Sequence, residues 1–145
     1  MATIKLEIVS PDKVVYTADI SMLIVRSTGG ELGILPNHAP LVTGLVPHAM
    51  RVRLGADRDE QLIAVAGGFM EVTPQKITVL ATAAELPIDI DINRAQQAME
   101  RAKKRIAEFH NGSAATTEDI QVKRAEFALQ RAVARLRAAG SEFEN

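Results

Sequence analysis

Up to about residue 81 the chain alternates between apolar and polar positions. Ile4, Leu6 and Ile8 are separated by Lys5 and Glu7. Met50, Val52 and Leu54 are separated by Arg51 and Arg53, and Ile77 and Val79 keep the same period. A period of two belongs to strands with one buried face. Turn formers punctuate it at Ser10-Pro-Asp12, Ser27-Thr-Gly-Gly30, Pro36-Asn37, Gly55-Ala-Asp57, Gly67-Gly68 and Thr73-Pro-Gln75. Short strands at this spacing predict a β-sandwich or flattened barrel.

Past Pro87 the period changes. Ala95, Ala98, Met99, Ala102 and Ile106 form one helical stripe, and Ala125, Ala128, Leu129, Ala132, Leu136 and Ala139 form another. Asp89 or Asp91 can cap the first helix and Thr116 with Asp119 the second. The break at His110-Asn-Gly-Ser113 includes Gly112, suited to a left-handed turn. The expected fold is α+β in two parts. An N-terminal antiparallel β-sandwich covers residues 1–86, and a C-terminal antiparallel α-helical hairpin covers 87–145. Residues 140–145 read as a frayed or cloning-derived end.

Composition narrows the function. A 47% apolar content supports a core built from Val, Ile and Leu, since aromatics are scarce. A formal net charge of −1 argues against a generic nucleic-acid binder. The absence of cysteine removes disulfides, thiolate chemistry and Cys-based zinc sites. Met1-Ala-Thr-Ile-Lys5 has no apolar leader, and no run approaches the ~18 residues of a membrane span. A soluble chain without direct membrane insertion is expected.

Within the helices, Arg94, Arg101 and Arg105 repeat on the first the intervals of Arg124, Arg131 and Arg135 on the second. Steps of seven and four return to nearly the same side of a helix, so each carries a guanidinium row beside an alanine seam. Alanine buries little apolar area, so such a seam is weak and the hairpin is expected to be mobile. Catalysis is not expected. No phosphate loop, nucleophile elbow or His-x-x-x-His pair is present. His38 sits between two prolines with no partner carboxylate in view, His48 is expected at a surface or edge, and His110 falls at a helix C-terminus. The apolar, proline-rigid stretch Glu31 to Leu41 has two readings: leucines folding into the core, or a preformed partner-binding edge.

Gly30-Glu-Leu-Gly-Ile-Leu-Pro-Asn-His-Ala-Pro-Leu41, Ala66-Gly-Gly-Phe-Met-Glu-Val72 and Ile77-Thr-Val-Leu80 closely resemble the epsilon subunits of bacterial F-type rotary ATP synthases. The likeness runs from about Ile4 to Arg137. It implies a non-catalytic central-stalk subunit bound to the gamma subunit and the c-ring, peripheral on the cytoplasmic face of the cell membrane. It places Glu31, Leu32, Leu35, Asn37 and His38 at a partner contact. It also implies a hairpin that extends to the catalytic alpha/beta head to inhibit ATP hydrolysis, or folds down on the sandwich. Ile90-Asp-Ile-Asn-Arg-Ala95 resembles the motif of epsilon subunits that bind ATP in the folded-down hairpin. That likeness assigns Ile90, Asp91, Arg94, Ala95, Arg101, Arg131 and Arg135 to a regulatory ATP site needing no magnesium. The arginine rows equally suit acidic residues on the catalytic head, and a stand-alone nucleotide-binding regulatory module is the alternative function.

Overall fold

The computed structural model describes residues 2–55, 60–110 and 116–140, with the backbone alone for residue 110 and residues 116–120. The turn at Asp57, the left-handed turn at Gly112, the capping side chains of Thr116 and Asp119, and residues 141–145 lie outside what is described. Ten strands come first: β1 (Ile4–Val9), β2 (Val14–Ile20), β3 (Met22–Ser27), β4 (Gly30–Ile34), β5 (Leu41–Leu45), β6 (His48–Arg53), β7 (Glu60–Val65), β8 (Gly68–Val72), β9 (Lys76–Ala81) and β10 (Ala84–Glu85). A 3-10 turn, Pro87–Asp89, leads to α1 (Ile92–His110) and α2 (Thr116–Ala138).

The strands form two layers, β5-β8-β9-β1-β2 and β4-β3-β6-β7-β10, joined where Ser27 of β3 meets Leu45 of β5. The alternating residues do what their spacing predicts. Ile4, Leu6 and Ile8 enter one core with Leu23, Val25, Met50, Val52, Ile63, Met70, Ile77 and Val79 from both layers. Across the open side, the Tyr16 hydroxyl donates to Gln61 Oε1 at 3.0 Å and ties the edge strand β2 to β7. Glycine has a specific task at Gly68, where φ is +140° and a Cβ would lie 2.1 Å from the Leu80 carbonyl oxygen. Only a residue without a side chain admits β9 so closely there.

Two sequence expectations need correction. The sandwich is not wholly antiparallel: β1 runs parallel to β9, from Lys5 beside Lys76 to Val9 beside Leu80. Alternation reports which side chains are buried, and it is silent on the direction of a neighbouring strand. His48 is not at a surface. It is 8% exposed, its Nε2 accepts the Arg26 backbone N–H at 3.1 Å, and its Nδ1 meets the Val46 carbonyl at 2.6 Å.

The core reading of the Glu31–Leu41 stretch holds for part of it. Ile34 is fully buried, Leu32 and Leu41 pack on the core, and Leu35 stays 54% exposed. The hairpin folds down. α2 lies on the outer face of β6 and β7, and α1 rides on α2. The contact with the sandwich is small: Ile90, Ala138 and Ala139 meet Ala49, Leu62 and Ala64.

Candidate functional site

The capping carboxylate of Asp91 starts α1 by accepting the Arg94 backbone N–H at 3.0 Å. The helix then turns Ala95 and Met99 onto Ala132 and Leu136 of α2. Alanine side chains barely reach past the backbone, so the seam is shallow and long side chains at its margin stand above it. At that margin are Arg101 and Arg105 from α1 and Arg124 and Arg131 from α2. They border an open cleft of about 910 Å³ whose lining includes Ala98, Ala102, Ala125 and Ala128. Phe109 and Gln121 continue it toward the free end of the hairpin, Phe127 lies between Arg124 and Arg131 on α2, and Glu108 is the one carboxylate among the described residues of its lining.

Ion pairs lie elsewhere on the molecule, with Arg51 and Arg53 on Glu60, Lys76 on Glu7 and Arg135 on Glu85. Among the described residues, none of the four cleft arginines has a side-chain partner. Guanidinium forks present paired donors that match phosphate or carboxylate oxygens. The cleft therefore concentrates positive charge with one opposing group.

The seven positions assigned to an ATP site take different places. Arg101 and Arg131 line the cleft. Arg131 also borders a small void against β7, shared with Ala64, Ala66, Ala83, Glu85 and Arg135. Arg135 turns to the sheet and donates from Nε to Glu85 Oε1 at 2.6 Å. Asp91 and the exposed Arg94 stay at the first turn of α1, outside the cleft lining. Ile90 packs with Ala64 and Ala138, and Ala95 is in the seam. Arg105 and Arg124 belong to the cleft although the motif passed over them; their spacing in the two rows was the available signal. Glu85 gave none, being a lone acid in a two-residue strand.

The partner-contact residues also divide. Glu31 is exposed on β4 opposite Arg26, and it borders a second cleft with His48, Arg51 and Glu60. Leu35, Asn37 and His38 follow the other end of that strand, about 13 Å from Glu31 by strand rise. There Asn37 takes a left-handed φ of 63° and donates its backbone N–H to the Pro74 carbonyl at 3.2 Å. Leu32 packs inward on the core. Among the described residues no His, Asp or Glu group is arranged to hold a metal ion, and no helix is long and apolar enough to cross a membrane.

Comparison with known proteins follows the same division of the chain. The ATP synthase delta/epsilon chain beta-sandwich domain matches residues 3–87, and the long alpha-helix domain of that family matches residues 89–140. The ATP synthase epsilon chain of Halalkalibacterium halodurans is 49% identical, over 97% of this chain and 99% of that one. The epsilon chain of Bacillus velezensis is 48% identical, over 97% of this chain and 100% of its own length. In fold, the chain resembles one from the mitochondrial ATP synthase of Euglena gracilis with a TM-score of 0.73 at 22% identity, covering 96% of this chain and 82% of that chain. It also resembles a chain of the Tetrahymena thermophila mitochondrial ATP synthase central stalk and c-ring, at a TM-score of 0.60 and 11% identity, covering 95% and 97%. With both domains matched in succession and full-length relatives at nearly half identity, the chain belongs to the ATP synthase delta/epsilon chain family.

Proposed function

We propose that the hairpin of this chain is a regulatory arm of the ATP synthase central stalk, held down on the sandwich by ATP. The chain is an epsilon-type, non-catalytic subunit of the F-type enzyme, and catalysis lies in other subunits. Its sandwich docks on the gamma subunit. Leu35, Asn37 and His38, on a loop stiffened by Pro36 and Pro40, meet the c-ring, with Glu31 at the edge of that contact. A preset loop loses little conformational freedom on docking, which favours its use as a fixed contact. The subunit then works at the cytoplasmic face of the membrane as a peripheral part of the complex. Extended, the hairpin reaches the alpha/beta head and slows hydrolysis.

One observation carries the ATP reading: two helices joined by an alanine seam carry unpartnered Arg101 and Arg131 on opposite sides of one cleft. An anion spanning them links helices that alanine alone holds weakly. Because that arrangement exists only with the helices paired, ATP selects the folded-down state and lowers the inhibitory population. The test is calorimetric titration of ATP, without magnesium, into the isolated protein and into Arg131→Ala. Saturable binding that the substitution weakens by about tenfold or more is expected. No heat up to millimolar ATP sinks the ATP reading and leaves the arginine rows to acidic residues of the catalytic head.

A further inference from the structure

Strand β3 changes partners at one corner of the sandwich. It pairs with β6 from Met22 beside Arg53 to Ile24 beside Arg51, then meets β5 at Ser27 beside Leu45. The first residues of β6, His48 to Met50, run on beyond the last of those pairs. The His48 ring, 8% exposed, bridges the gap left there. Its Nε2 accepts the Arg26 backbone N–H at 3.1 Å, and its Nδ1 meets the Val46 carbonyl at 2.6 Å. Val46 N–H closes the circuit by donating to the Arg26 carbonyl at 3.2 Å. Because Nε2 faces a donor, Nδ1 alone carries a proton. We propose that His48 is a proton-operated staple at this corner, whose protonation loosens the end of β6 and releases the hairpin seated on it. Acid then drives the arm in the direction opposite to ATP. The inference rests on the hairpin being a movable arm, and it requires no nucleotide.

The next residue carries the connection to the hairpin. His48 shares the inward side of β6 with the buried Met50 and Val52, so Ala49 faces outward. There it packs with Leu62, Ala64, Ile90, Ala138 and Ala139, the seat of α2. A ring that leaves its place moves Ala49 with it, and a seat of so few small side chains has little to absorb the shift. An imidazolium has two donors and no acceptor, so its Nε2–H would oppose the Arg26 N–H inside a buried corner. The charged groups that share a cleft with the ring are Arg26 on β3, Glu31 on β4, Arg51 on β6, Glu60 on β7 and Arg137 on α2. Glu60 is engaged by Arg51 and Arg53, while Arg26 disfavours a charged ring and Glu31 favours it. Burial outweighs the rest and holds the pKa below the ordinary 6.5, against the pull of the Val46 bond. An opened corner restores the ordinary value. Opening therefore takes up a proton, and it is favoured as pH falls below about 6.5.

The experiment places a spin-label pair on the full chain through Thr17→Cys on β2 and Gln130→Cys on α2, both at exposed sites. Distances are measured from about pH 7.5 to about pH 5.5, with His48 in place and with His48→Gln. Nuclear magnetic resonance follows the His48 ring protons, the Arg26 amide and the core methyl groups over the same range. Glutamine can offer a carbonyl to Arg26 and an N–H to Val46, yet it does not titrate. With His48, the ratio of undocked to docked hairpin is expected to rise by up to about tenfold, at the midpoint of the ring's own titration. The glutamine form is expected to stay flat. An equal rise in His48→Gln removes His48 from the switch. Should that variant not fold, the two midpoints with His48 in place decide, and their separation overturns the proposal. Core methyl signals that collapse in step with the distance change also overturn it, since they report global unfolding. If the ring titrates while the hairpin stays docked, the switch is lost, and Arg135→Ala at neutral pH shows what remains. Undocking of that variant leaves the arm standing without the switch, whereas a hairpin that stays docked there too removes both.

Discussion

His48 sits inside the sandwich as a neutral ring that two backbone groups fix in place. Its Nδ1–H donates to the Val46 carbonyl and its Nε2 accepts from Arg26 N–H. Burial holds its pKa below the ordinary 6.5, outweighing the Val46 hydrogen bond that pulls the other way. The unfolded chain takes up the proton first as pH falls, so stability is full above about 6.5 and declines below it until the folded ring also titrates. Urea midpoints measured between pH 7 and pH 5 are expected to fall more steeply for wild type than for His48→Gln, which is weaker throughout. Parallel slopes would discard the assignment. At this scale the sequence was readable where one pattern sufficed: Ile4, Leu6 and Ile8 are buried as their alternation predicts. His48 was not readable, because its partners come from β3 and the β5–β6 connection and Pro47 beside it suggests exposure.

Among the elements, α2 carries two apolar faces, and only one was visible in advance. Ala132 and Leu136 meet α1, as the stripe predicts, while Ala138 meets the sheet and Ala134, one turn before it, is also buried. Alanine in a helix serves as filler, spacer or contact with equal ease, so residue type alone does not mark the second face. Beside that thin contact the Arg135–Glu85 pair joins α2 to β10, each side chain about one-third exposed at 34% and 32%. A pair of that exposure is worth under about 1 kcal/mol, which still moves a balanced equilibrium about two- to fivefold. Arg135→Ala is expected to raise the undocked hairpin population by that factor. Two cysteines introduced on α2 and β6 of this cysteine-free chain allow unambiguous spin labelling for the distance measurement. An unchanged distance distribution would reduce the pair to a surface decoration.

For the whole molecule, the change of period near Pro87 foretold two parts, and the main core keeps to the first of them, drawn entirely from residues 4–86. How the parts meet was hidden, since the contact is made by a few alanines, Ile90 and Leu62. The ATP-motif residues were legible as a row but not as a site, because a helical repeat gives side and spacing, not which neighbour each side chain finds. Truncation after Leu86 is expected to leave a cooperatively unfolding β domain, and a non-cooperative thermal transition would refute its independence. The parallel pairing of β1 with β9 bears on how the chain is made. The first strand finds one of its two neighbours only after almost the whole domain has left the ribosome. Closure of the sandwich is therefore a late, slow event governed by distant pairing, while α1 and α2 assemble from local contacts. Because α2 lands on β6 and β7, the arm reaches its resting place only once those two strands have paired.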